Sequence, residues 1–365
     1  MVEPERDAPR SVTALPRDVR EGSHDPDGGE VARARSGPAE VVATLALGAA
    51  VGLGIASMFP DYLSGASIAS QPDLVVAHAI PLAGWLVVAV LVASARPGTR
   101  QLGALGGIGI GAVDAGFVLA DAGTVFSGGG HLGGAGLVLA ALEWLLATGA
   151  CTLVAARSGD LGLDRPVRQR QPGGRRATLA PAATAWERTR PWAIGAGAVA
   201  AAGLYAPPWD RLVVDLAAVG RTAVVTAGNA FANPAAVITG NVVVIVCLAA
   251  LPLVALVMRP RGLGGALLAG GVVGAASQVA SALVQWREPV PPSELGLSAQ
   301  AAAAAGFHAS TGFTPMFYGF AAAVVLLGVA ALADLVRGTR SSGPARLADV
   351  REIPARRPFS PTPHY

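Results

Sequence analysis

The chain contains no lysine, and all 27 of its basic side chains are arginine. P-loop nucleotide-binding proteins are therefore excluded, because their phosphate loop needs a lysine that reaches the nucleotide. Charged residues make up only 14% of the sequence, whereas a soluble domain carries roughly a quarter. The two cysteines lie in apolar segments and provide neither a disulfide framework nor a metal-binding spacing. Gly-x-Ser-x-Gly and His-Glu-x-x-His motifs are also missing, so no enzyme signature is recognisable.

What the chain has instead is long apolar runs. Hydrophobic residues make up 52% of it, and the mean hydropathy is +0.51. A helix needs about 20 apolar residues to cross a bilayer, and continuous runs favour helices over barrel strands, which alternate. The predicted fold is an all-α, polytopic membrane helical bundle with eight transmembrane helices. The predicted spans are Val41–Phe59, Leu74–Ala95, Leu102–Ala122, Leu132–Ala156, the short Trp192–Tyr205, Ala235–Met258, Leu263–Val284 and Met316–Val336.

The arginine distribution predicts the orientation of these spans. With a cytoplasmic N-terminus, 24 of the 27 arginines fall on the cytoplasmic side, as the positive-inside rule requires. Omitting the short fifth span would invert the second half and reverse this bias. We therefore expect both termini to be cytoplasmic, and the alanine- and glycine-rich composition favours a bacterial plasma membrane. The three arginines left on the outer side are Arg211, Arg221 and Arg287.

An internal repeat is indicated by two arginine–proline steps, Arg96-Pro97 and Arg259-Pro260, which lie 163 residues apart. Each step stands between an apolar run and a glycine-rich apolar run. The sequence therefore predicts two tandem four-helix repeats, 39–157 and 191–337, related by an axis along the membrane normal. The same shift superimposes Gly107 on Gly270, Gly111 on Gly274, Asp114 on Ser277, and His78 on Asn241.

Three segments flank or join these repeats. The tails 1–38 and 338–365 are rich in proline, glycine and charge, which predicts disordered cytoplasmic segments. The linker 158–190 carries seven arginines against three acids. It is either a patch for anionic lipid headgroups or a plain topology anchor. Because the arginines are segregated by topology, the net charge of +3 does not indicate a nucleic-acid partner.

Glycine stripes predict close helix packing. Gly103, Gly107 and Gly111 recur every four residues in the third span, and Gly270 and Gly274 do so in the seventh. Such small-residue stripes let helix backbones approach one another in lipid. They carry no chemistry of their own.

Two carboxyl side chains, Asp114 and Glu143, lie near the middle of predicted spans. Each lies 14 residues from its nearest cytoplasmic arginine, Arg100 and Arg157 respectively, and therefore roughly 21 Å above the inner surface. If the two face each other, a proton would be shared or exchanged between them. Alternatively, both are protonated and only join neighbouring helices by hydrogen bonds. Ionisable groups in membrane spans are functional candidates by default.

Other polar side chains complete the candidate set for transport or proton relay. His78 lies near the outer interface, where it either relays protons to the carboxyls or makes one interhelical hydrogen bond. The second half offers Asn241, Ser277 and Gln278 at related depths, but it lacks equivalents of both carboxyls.

Two functions follow from these patterns. One is a proton-coupled transporter or transport subunit; the other is a non-catalytic membrane scaffold or assembly factor of the cell envelope. A third possible function is a lipid-handling enzyme, which would use His131 and His308 of the predicted outer loops. These histidines and the nearby Asp121, Glu288 and Glu294 lack metal-ligand spacing, so we expect no metal and no cofactor.

One outer segment shows apolar residues at helical spacing. Leu212, Val213, Leu216 and Val219 follow Trp209 in this pattern. It predicts an amphipathic helix lying on the outer surface.

Overall fold

The computed structural model describes residues 37–63, 65–126, 133–158, 185–287 and 298–341. All of them belong to one compact unit. Most of both predicted tails and of the basic linker lies outside the described residues, as do His131, Glu288 and Glu294.

Long helices dominate the described part of the chain. Seven of these helices are long and apolar enough to cross a bilayer, which indicates a multi-pass helical membrane protein. Proline begins several of them, since a first-turn residue needs no amide hydrogen bond. The helices are α1 (Pro38–Ser57), α2 (Pro72–Ala93), α3 (Pro97–Phe126), α4 (Ala135–Arg157), α5 (Ala185–Tyr205), α6 (Ala235–Val257), α7 (Arg261–Gln285), the short α8 (Ala299–Ala304) and α9 (Pro315–Ser341).

Helix α5 is long enough to cross a bilayer, but it is not apolar enough to be one of these seven helices. It has 21 residues and begins seven residues before the predicted Trp192, inside the predicted linker. Its first two turns carry Glu187, Arg188 and Arg190, which lower its hydropathy. The predicted fifth span, Trp192–Tyr205, covers the apolar part of this helix, and the sequence did not indicate that the helix extends back to Ala185 through charged residues.

The helices pair in a repeating pattern. In the first half, α1 and α3 each pack against both α2 and α4. In the second half, α5 and α7 each pack against both α6 and α9. Between the halves, α3 contacts α6 just as α2 contacts α7, and α3 crosses α7. Every such pairing in one half therefore has a counterpart in the other.

The backbones of α3 and α7 are in close contact where the two helices cross. A Cβ atom on Gly109 would lie 2.8 Å from the amide nitrogen of Gly271, and one on Gly270 would lie 2.8 Å from that of Ile110. A shift of 161 relates these two contacts, since it takes Gly109 onto Gly270 and Ile110 onto Gly271. Pro97 is the first residue of α3, whereas Pro260 is the N-cap of α7, so the shift of 163 that superimposes the two prolines differs by two residues from the shift that relates these contacts.

The connections that were predicted to lie on the outer side form strands. A hairpin of β1 (Asp61–Leu63) and β2 (Ala66–Ser67) follows α1. A three-stranded antiparallel sheet has the order β4-β3-β5, formed by β3 (Asp210–Leu216), β4 (Arg221–Ala227) and β5 (Phe307–Phe313). The predicted surface helix after Trp209 is therefore wrong.

The physical reason lies in pairing that is not local. Strand β3 is hydrogen-bonded on both edges, to β4 and to β5, and the β5 partner comes from nearly 100 residues later in the chain. Gly220, with φ of 57°, allows the reversal between β3 and β4. The β-branched Val213 and Val214 also favour a strand.

Candidate functional site

A cavity of about 110 Å³ lies between α2, α3 and α4, and the β1–β2 hairpin contributes to its wall. Four of the predicted relay residues line it together: His78 from α2, Asp114 from α3, Glu143 from α4, and Gln278 from α7. Residues that lie far apart in the sequence thus meet at one site.

His78 connects three helices at this cavity. Its Nε2 atom lies 3.0 Å from the carbonyl oxygen of Gly54 and 3.1 Å from the hydroxyl of Ser57, both on α1. The same atom is 3.6 Å from Oε2 of Glu143. Because a carbonyl oxygen can only accept, Nε2 carries the proton in its contact with Gly54.

Glu143 is almost completely buried, with 4% of its surface exposed. Gly54 makes room for its carboxyl group: a Cβ atom at Gly54 would lie 2.6 Å from the carboxyl carbon of Glu143. This role of Gly54 was not predicted, because the presence of a glycine in an apolar span does not indicate which side chain packs against it.

Asp114 is the least satisfied polar group of the cavity. The residue is 9% exposed, and its Oδ1 atom is buried without a hydrogen-bond partner among the described residues. Gly274 of α7 lies beside it, since a Cβ atom there would be 3.3 Å from Oδ1. An unpartnered buried oxygen loses its hydration without compensation, so it favours a proton, a water or a cation.

Tyr62 and Asp121 form the end of the cavity next to the β1–β2 hairpin. The phenol of Tyr62 on β1 donates a 2.6 Å hydrogen bond to Oδ2 of Asp121 on α3. Burial, and then the charge of Asp121, raises the pKa of Tyr62 above its ordinary value of 10.0, so the phenol remains a donor. The sequence analysis assigned neither residue to the relay. The signal was that Asp121 follows Asp114 by seven residues, which places both on one helix face.

Aromatic rings form much of the remaining wall. Trp85, Phe117 and Trp144 line the cavity, and Trp85 is only 1% exposed. The indole nitrogen of Trp144 donates a 2.7 Å hydrogen bond to the carbonyl oxygen of Gly111. That ring nitrogen is therefore satisfied by the protein itself.

Asn241 and Ser277 do not line this cavity. The Asn241 amide donates to the carbonyl oxygen of Ala230 at 2.8 Å and accepts from the hydroxyl of Tyr205 at 3.3 Å. The Ser277 hydroxyl donates to the carbonyl oxygen of Gly274 within its own helix, at 2.7 Å. Both side chains thus satisfy their hydrogen bonds within the second half.

The predicted glycine stripes face different neighbours. The stripe on α3 approaches α2 and α4, whereas the two α7 glycines approach α3. The atoms that an added Cβ would meet first belong to Leu91 for Gly103, Cys151 for Gly107, Thr148 for Gly111, Gly106 for Gly270 and Val113 for Gly274.

A buried ion pair lies in the second half, away from the cavity. Arg190 of α5 donates to Oδ2 of Asp334 on α9 at 2.7 Å, and Asp334 is fully buried. The guanidinium also donates to the carbonyl oxygen of Ala255 in the last turn of α6, at 3.1 Å. This pair joins three helices. It was not predicted, because Arg190 was assigned to the linker.

No group of three or more His, Cys, Asp or Glu side chains within the described ranges is arranged to hold a metal ion. His308 lies on β5, paired with Asp215 of β3. Comparisons of the chain with protein families, with curated proteins and with solved structures find no match.

Proposed function

We propose that this membrane protein is a proton-coupled transporter, or the proton-handling subunit of one, with Asp114, Glu143 and His78 as the coupling groups. One observation carries the proposal: two carboxyl groups and an imidazole from three helices line a single cavity that includes the β1–β2 hairpin. Intramembrane ionisable groups are costly, and their convergence on a cavity is typical of proton pathways.

The tendency of Asp114 to take up a proton follows from the burial of its carboxyl group. An ionised Asp114 with an unpartnered oxygen has lost hydration that nothing in the described structure replaces, so proton uptake relieves this cost. The cavity is large enough for several waters, since about 10–15 Å³ suffices for one. Protons can then pass between water, His78 and the carboxyl groups.

The topology forms part of the proposal. α5 acts as an eighth span, the two halves are parallel four-helix repeats, and both termini face the cytoplasm of a bacterial cell. The matched helix pairings and the arginine distribution support this arrangement. Anionic lipid headgroups are the proposed partner of the arginine-rich linker. Tags on the two termini should be protected from the same external protease in intact cells, whereas protection of one alone would exclude an eighth span.

Proton flux tests the function. The full chain is reconstituted into liposomes that contain a pH-sensitive dye, and candidate solutes are added under an imposed pH gradient. We expect solute-dependent proton flux that Asp114→Asn and Glu143→Gln abolish at normal expression. Asp73→Asn is the matched control, since this acid begins α2 but does not line the cavity. Flux that survives both cavity variants would contradict the proposal.

A non-catalytic scaffold is the second candidate. It is favoured by the glycine contacts at the α3–α7 crossing and by the dry core of the second half, where a cavity of only about 10 Å³ lies among apolar residues. A scaffold predicts that bulky substitutions at the crossing disturb the protein while neutralised carboxyl groups have little effect.

A further inference from the structure

We infer that the solute handled by this site is a small organic cation of the protonated-amine class. The inference rests on the proposed function and specifies its substrate. It follows from the charge, the walls and the size of the cavity.

The charge of the cavity favours a cation. Asp114, Asp121 and Glu143 line it, and none of the described lining residues is an arginine. His78 is the one basic side chain among them, and its Nε2 is held by the carbonyl oxygen of Gly54. Anions would meet three acids without a compensating cation, so they are disfavoured.

An independent observation indicates where the cation binds. Oδ1 of Asp114 is buried and has no partner among the described residues, although Asp114 lines the cavity. The neighbouring acid Asp121 already accepts a hydrogen bond from Tyr62. Asp114 is therefore the acceptor that a bound ammonium group would satisfy.

The walls favour an amine over an alkali metal ion. Trp85, Phe117 and Trp144 line the cavity, and aromatic rings attract ammonium groups and accommodate their carbon atoms. A metal ion binds through oxygen ligands. An amine can use the aromatic rings as well as the carboxylate oxygens of the lining.

The size of the cavity limits the ligand. At about 110 Å³ it is well below the roughly 300 Å³ at which sites for drug-sized molecules begin. A ligand of a few heavy atoms, such as methylammonium, fits this space. Charge balances by exchange: one ammonium ion enters as one carboxyl proton leaves.

Methylammonium binding to the full chain in lipid nanodiscs tests the inference, read by tryptophan fluorescence because Trp85 and Trp144 line the cavity. We expect saturable binding that Asp114→Asn weakens by about tenfold or more. Phe117→Leu should weaken it by at least about twofold. Asp73→Asn should bind as the wild type does, and sodium acetate at equal ionic strength should give no saturable signal.

Three results would overturn the inference: no saturable methylammonium signal, equal binding by Asp114→Asn, or sodium binding of equal strength that is indifferent to Phe117→Leu. The proton flux assay on the same preparations separates the two proposals. Solute-dependent flux without methylammonium binding removes only the amine, whereas loss of both removes the transport function as well.

Discussion

Gly54 of α1 and Glu143 of α4 are in such close contact that the glycine has no room for a side chain. An added Cβ atom would lie 2.6 Å from the carboxyl carbon, and the backbone carbonyl of the same glycine accepts from His78. One small residue therefore fixes both the carboxyl and the imidazole of the candidate relay.

Gly54→Ala should displace the Glu143 carboxyl and lower the free energy of unfolding by about 1–3 kcal/mol, the usual cost of overpacking. Proton flux should fall with it. Gly52→Ala is the control on the same helix, because its Cβ would meet no described atom within 4 Å. Thermal melts in detergent and the flux assay measure the two effects. Equal behaviour of the two variants would show that the close contact is unimportant.

Tyr62→Phe removes the hydrogen bond to Asp121 and should cost about 1–3 kcal/mol of stability near neutral pH. The pH dependence has a defined sign. Because the folded state raises the pKa of Tyr62 above 10.0, the unfolded chain loses this proton first as the pH rises. Wild-type stability should therefore fall more steeply above pH 10.0 than that of the variant. Parallel stability curves in alkaline solution would refute this assignment.

Gly109→Ala and Gly270→Ala should destabilise the protein to a similar extent, by about 1–3 kcal/mol each, because they occupy equivalent places at the α3–α7 crossing. Gly149→Ala on α4 is the control, since its Cβ has no described atom within 4 Å. Unfolding in a denaturant series compares the three variants. An effect confined to one side of the crossing would contradict the proposed two-fold relation.

Arg190→Met should lower stability by about 3–5 kcal/mol, because it leaves the fully buried carboxyl of Asp334 without its cation. Adding Asp334→Leu should restore much of this loss, since a buried ion pair can be replaced by apolar groups of similar volume. Thermal melts of the single and double variants measure the coupling. A double variant no more stable than Arg190→Met would indicate that the pair has a further role.

The sequence predicted features that depend on local composition. Seven of the eight predicted spans coincide with long apolar helices. Counting residues from the arginines led to the prediction that Asp114 and Glu143 lie at one depth, since a helix rises by a constant amount per residue. The two carboxyl groups do line one cavity.

Features that depend on tertiary contacts were not predictable in this way. Tyr62 meets Asp121 across 59 residues of sequence, and Arg190 meets Asp334 across 144. The prediction of a surface helix at β3 was wrong for the same reason, since one of the two strands paired with β3 lies nearly 100 residues later in the chain. Helical spacing within one short segment carries no information about such partners.

Proton exchange by the cavity carboxyl groups can be observed by infrared difference spectroscopy of the full chain in nanodiscs after a pH jump. We expect a protonated-carboxyl band in the wild type that Asp114→Asn and Glu143→Gln each diminish and Asp73→Asn retains. A spectrum without any pH-dependent carboxyl band, or one that both cavity variants leave unchanged, would show that these groups do not exchange protons.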